Sequence, residues 1–138
     1  MLYYGNPQGG IHVSPKVFVN FSNHPSSVWC EKQKSSALSY ADEIIDIPFP
    51  GVDPNLGPDE IAQLGDKYVD QILSKSAVVV MCQGEFSLSY YVVRQLEKRG
   101  IVCLAACSRR NVLEKVLEDG RTRKEVEFEF VRFREYRG

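Results

Sequence analysis

The sequence predicts an α/β fold: a parallel sheet flanked by helices, carrying a C-terminal antiparallel β-hairpin extension. Three observations predict it. Four short apolar runs, "VFVNF" (17–21), "EIIDIPFP" (43–50), "AVVVMC" (77–82) and "IVCLAAC" (101–107), read as buried strands. The segments between them hold helix signals, and strand–helix–strand crossovers set neighbouring strands parallel. The ending, "EVEFEFVRFREY" (125–136), alternates with period two instead and follows Asp119-Gly120, a strong hairpin signal.

Residues 1–14, "MLYYGNPQGGIHVS", lack any apolar period and read as a flexible N-terminal extension, leaving 15–138 as one domain. After the first strand, Pro25 ends any ladder, and Ser26 or Ser27 is placed to cap a helix running to about Tyr40. Pro48 and Pro50 stop the second strand, and "GVDPNLG" is a turn-rich loop. Pro58 at a first helical position, with Asp59 and Glu60 behind it, opens the second helix; Ile61, Leu64, Tyr68 and Ile72 form its buried face. A third helix from about Ser87 to Arg99 buries Leu88, Val92 and Leu96 and ends at Gly100. "NVLEKVLE" (111–118) suits either a helix or a strand; the turn after it and the need for a hairpin partner favour a strand. Val126, Phe128 and Phe130 share one face, and the apolar phase slips at Val131 before resuming at Phe133, as a β-bulge produces.

Composition narrows the function. The 138 residues hold 17 Lys and Arg against 18 Asp and Glu, which argues against a protein that coats duplex nucleic acid. A small phosphate ligand needs only a few local donors and stays open. No apolar run approaches the ~20 residues that cross a bilayer, so no membrane partner is expected. Cys30, Cys82, Cys103 and Cys107 show no CxxC spacing and read as reduced thiols of a cytoplasmic protein. With only His12 and His24 beside them, neither a metal site nor a cofactor is expected.

Ligands of open parallel sheets collect beyond the carboxyl ends of the strands. Those ends here are "NFSNHPSS", "DIPFP", "QGEFS" and "CSRR", three of them richly polar. Each has a plain structural reading beside the functional one. Gly84 either only turns the chain or lets a ligand approach the backbone at a helix N-terminus. Glu85 is a helix-dipole partner or a working carboxylate, and Ser22-Asn23-His24-Pro25 is a polar loop or part of a site. Arg109 and Arg110 are solvated or bind phosphate. Trp29 reads as core more readily than as a base-stacking surface, and Arg132, Arg134 and Arg137 with Glu129 and Glu135 as a charge-laced outer strand face.

"VVVMCQGEFSLSYYVV", then "ACSRR", then "FEFVRFREY" resemble small stand-alone proteins of type III CRISPR systems within the CRISPR-associated Rossmann-fold (CARF) group, over about residues 77–136. The resemblance implies a Rossmann-like sheet, a homodimer, and a cyclic oligoadenylate ligand, which the ring nucleases of that group cleave. In such a reaction the ribose 2′-hydroxyl attacks the adjacent phosphorus and expels the 5′-oxygen, leaving a 2′,3′-cyclic phosphate without a bound metal. Position and chemistry then make His24, Glu85 and Arg109 the catalytic candidates. An imidazole exchanges protons near neutrality, a carboxylate serves as base, and a guanidinium meets phosphoryl charge. Asn20, Ser22, Asn23, Gln83, Gly84, Ser87, Ser108 and Arg110 are the ligand-binding candidates. Competing readings are a non-catalytic sensor or sponge for the same ligand, a small nucleotide-processing enzyme similar to nucleoside deoxyribosyltransferases, with Glu85 or Asp46 as its carboxylate, and a purely structural partner protein.

Overall fold

The strand ends converge because of the order in which the chain lays its strands down. The computed structural model describes residues 3–5 and 11–138. Strands β1 (Tyr3–Gly5) and β2 (Ile11–Val13) pair antiparallel outside the main sheet. Of the expected flexible extension, 1–2 and 6–10 lie outside the described residues. The main chain then runs β3 (Val17–Ser22), a 3-10 turn (Ser26–Val28), α1 (Glu31–Leu38), β4 (Glu43–Pro48), α2 (Pro58–Leu73) and β5 (Ala77–Gln83). It ends in α3 (Phe86–Glu97), β6 (Val102–Val116) and β7 (Thr122–Glu135).

The five-stranded sheet has the order β4-β3-β5-β6-β7. Its first four strands are parallel, and β7 returns antiparallel to β6. The chain first steps from β3 to β4, then crosses back over β3 to β5, so the order reverses between β3 and β5. That reversal leaves a crevice at the strand ends, because the flanking helices depart in opposite directions.

Side chains alternate between two cores. Val17, Val19 and Phe21 of β3 join Val80, Cys82 and Cys103 under Ile61, Val69 and Ile72 of α2 and Leu88, Val92 and Leu96 of α3. Phe18, Val79, Met81 and Leu104 point the other way, against Trp29, Ala37, Phe130 and Phe133. The second core is an aromatic cluster: Phe133 lies 5.4 Å from Phe18 and 5.0 Å from Phe130, ring centre to ring centre. Phe130 and Phe133 share a face although three residues apart. Arg132 pairs with Cys107 and Phe130 with Ser108, so Val131 is the extra residue of the expected bulge.

The fourth strand does not end at 107 as expected. Strand β6 runs on through Ser108, Arg109, Arg110 and the ambiguous segment to Val116, because β7 supplies a ladder partner along that length. The long hairpin closes at Gly120 (φ +81°), where glycine relieves the left-handed strain. Two helix starts differ from expectation. Helix α1 begins at Glu31, because the Ser26 hydroxyl and amide are both held by the Asp46 carboxylate and Trp29 is extended so that its ring can enter the core. Helix α3 begins at Phe86, capped by Glu85. Among the described residues no helix is long and apolar enough to cross a membrane.

Candidate functional site

Beyond the carboxyl ends of β3 and β5, beside the middle of β6 and on the side covered by α1, lies a cavity of about 590 Å³. Ser22, His24, Gln33, Gln83 and Ser108 give it polar edges, and Val28, Trp29, Cys30, Met81, Ala106, Phe128 and Phe130 form its apolar walls.

Its floor is set by β3. Asn20 and Ser22 point to the cavity side and are 1% and 5% exposed, the two buried polar residues among those described. Burial on that scale requires partners, and they have them. Asn20 Nδ2 donates to the His24 carbonyl at 2.8 Å and to Asp46 Oδ1 at 3.0 Å, while its Oδ1 accepts from Ser22 Oγ at 2.7 Å. The His24 amide donates to Ser22 Oγ at 3.2 Å, and Trp29 Nε1 donates to the same His24 carbonyl at 3.1 Å. The backbone of His24 is thus fixed from three directions while its side chain borders the cavity. Asn20 itself acts beneath the surface as a positioning residue. Trp29 is core, as expected, and also a cavity wall.

Strands β5 and β6 pair over only three residues, Val79–Met81 against Val102–Leu104, then separate. Separation strands backbone groups that must find partners. Gln83 replaces the missing ladder on the cavity side, its Oε1 accepting from the Ala106 amide at 2.7 Å and its Nε2 donating to the Ala106 carbonyl at 3.4 Å. On the opposite side Tyr136 Oη donates to the Cys82 carbonyl at 2.8 Å, and its amide donates to that of Cys103 at 2.9 Å. Burial pushes the Tyr136 phenol above its ordinary range.

Gly84, Glu85 and Ser87 lie off the cavity lining. A Cβ on Gly84 would stand 2.4 Å from the Phe49 ring, so the glycine makes room for that aromatic. Glu85 caps α3: Oε1 accepts from the Ser87 amide at 2.9 Å and Oε2 from the Leu88 amide at 2.8 Å. The Ser87 hydroxyl, then the Leu88 and Ser87 amides, hold its carboxyl below the ordinary range. Ser87 borders a smaller groove with Gly57, Pro58 and Tyr90 between the starts of α2 and α3.

Asn23, Arg109 and Arg110 are exposed and do not line the cavity. Arg110 lies opposite Phe128 in the β6–β7 ladder and shares the cavity side; Arg109 lies opposite Glu129 on the other. The structure therefore brings together Ser22, His24, Gln83 and Ser108 over Asn20, and leaves the remaining candidates around them. Sequence reasoning did not single out Phe128, Phe130, Val28, Cys30, Gln33, Met81 or Ala106 as lining. The alternation of Phe128 and Phe130 was a signal for one face, but only the ladder register shows that this face meets the cavity. Among the described residues no three His, Cys, Asp or Glu side chains gather as a metal site.

A family model described as the uncharacterized protein MJ1673 family matches residues 16–134. The chain belongs to that family. The matched span runs from just before β3 almost to the end of β7 and so covers the segments that line the cavity. No curated protein and no solved structure matches the chain.

Proposed function

We propose that this protein binds a cyclic oligoadenylate and opens its ring as a nuclease. One observation carries the reading. The cavity lies at the strand-order reversal, with polar groups from the ends of β3 and β5 and from the middle of β6 facing aromatic walls, an arrangement suited to a nucleotide's ribose-phosphate and its base. The sequence resemblance over 77–136 points the same way. Trp29, Phe128 and Phe130 offer surfaces to adenine, and Ser108 offers a hydroxyl to the sugar-phosphate. His24, on its pinned backbone, is the imidazole that takes the 2′-hydroxyl proton or returns one to the departing 5′-oxygen. Attack by that hydroxyl on its own phosphorus needs no outside nucleophile, so orientation supplies much of the rate. A cavity of about 590 Å³ accommodates one drug-sized ligand. A ring of several nucleotides calls for a second copy, related by a twofold axis, to enclose its other half.

The test is incubation of the protein with cyclic tri-, tetra- and hexa-adenylate in chelator, followed by chromatography. Linear products ending in a 2′,3′-cyclic phosphate are expected, with cleavage by His24→Ala lower by about 10²-fold or more at saturating ligand. Intact ligand co-eluting with the protein would make it a sensor. Neither cleavage nor retention would end the reading.

A further inference from the structure

Strands β6 and β7 continue past the sheet as a two-stranded ribbon, Ser108–Val116 against Thr122–Phe130. An isolated ribbon is marginal in water unless something covers it. Its two faces differ sharply. On the outer face the Lys115 ammonium bridges Glu125 at 3.0 Å, and Asn111 Nδ2 donates to Glu129 at 3.1 Å, a solvated polar network. The inner face, continuous with the cavity, presents the cross-strand pairs Ser108–Phe130, Arg110–Phe128, Val112–Val126, Glu114–Lys124 and Val116–Thr122. Phe128 is 70% exposed and Val116 77%, and Val112 and Val126 are about half exposed. Arg110, Glu114 and Lys124 take part in none of the ion pairs among the described residues.

The order of these pairs is self-complementary. Consider a twofold axis lying between two such faces, perpendicular to the strands and passing over Val112–Val126. It sets each valine against its own copy. The residues two steps to either side exchange places, so Arg110 meets Glu114 of the partner subunit and Phe128 meets the partner subunit's Lys124. Both contacts are attractive, one an ion pair and the other a cation over an aromatic face. We propose that the inner ribbon face is the dimer interface, occupied by a second copy of this chain in that antiparallel arrangement. The partner's ribbon tip then lies over the cavity mouth and brings the partner's Lys124 beside Phe128, adding a second cation to Arg110, which already lies opposite that ring. The interface specifies the homodimer proposed above and depends on no ligand.

Sedimentation velocity of the full chain over a concentration series tests it, using R110E, E114R and the double exchange R110E/E114R. The wild type is expected to dimerise. Each single variant, which sets like charges face to face, should weaken dimerisation at least ~10-fold, and the double exchange should restore it. A dimer indifferent to both single variants would move the interface elsewhere and leave the proposed homodimer intact. Weakening by the single variants without rescue would overturn the antiparallel pairing. A wild type monomeric at every concentration would remove the dimer from both proposals, while the ring-opening assay would still judge the ligand reading on its own.

Discussion

The two faces of the sheet are made from the same strands, residue by residue in alternation, yet one is sealed and the other is open. The sealed face lies under α2 and α3, of 16 and 12 residues, and its buried cluster is wholly apolar. The open face lies under α1, of eight residues, and there β3 exchanges Val19 and Phe21 for Asn20 and Ser22 as it approaches the uncovered strand ends. Cover decides composition. Where two helices exclude water, a polar side chain would forfeit its hydration, whereas beneath a short helix a polar network can be kept whole and a cavity left beside it.

Truncating one aromatic on each face breaks or upholds this comparison with the largest effect. Phe21 is fully buried and packs 4.7 Å from Phe49 and 5.2 Å from Tyr68, centre to centre. Phe21→Ala should cost about 3–5 kcal/mol in denaturant unfolding. Phe128→Ala, at low protein concentration, should cost about 0.5 kcal/mol or less, while weakening retention of ligand. Equal losses would mean that the open face is as thoroughly packed as the sealed one.

The thiols sharpen the contrast through pH. Cys82 and Cys103 belong to the sealed core, and burial pushes both up to about 12 from an ordinary 9.0. Cys30 is exposed on the cavity wall. A folded-state pKa raised above the unfolded one leaves stability intact below pH 9.0 and removes it as pH climbs from there toward 12. For Cys82 the loss should reach about 1.4 kcal/mol by pH 10, read as a falling denaturation midpoint that flattens in Cys82→Ala. At neutral pH a thiol reagent should modify Cys30 rapidly and the two core thiols only on unfolding. Rapid modification of all of them would deny that the α2–α3 face is sealed.

What the sequence disclosed follows the same division. The succession of strands and helices was within reach because apolar runs and crossover helices are local patterns, and the bulge at Val131 was visible as a slip of phase; the order β4-β3-β5-β6-β7 across the sheet was not. Ser22, His24 and Gln83 could be placed together because strand ends of a parallel sheet converge whatever their neighbours; Ser108 lines the same cavity for another reason, since β6 runs past it to Val116. Gly84 was harder: its need for a bare backbone comes from Phe49, on a different strand end, and no local signal announces that ring. The start of α1 was misplaced for a similar reason, since Ser26 is engaged by Asp46 from β4 rather than by its own helix. The Phe128 wall waited on register, because a one-residue slip would send that side chain to the other face.

The smallest effect concerns Glu85, which stands at the edge between the two faces and caps α3. Its carboxyl, held below 4.5 chiefly by the Ser87 hydroxyl, contributes stability that is present above the ordinary carboxylate range and fades as pH falls through the lowered value. Glu85→Ala should therefore cost about 1 kcal/mol at neutral pH and less in acid, where the native carboxyl is protonated in any case. Ring opening at saturating ligand should be unchanged, because both carboxylate oxygens are taken up by α3 amides rather than directed at the cavity. Lost cleavage with unchanged unfolding would invert that assignment. It would give Glu85 a part in ring opening beside its place as the cap of α3.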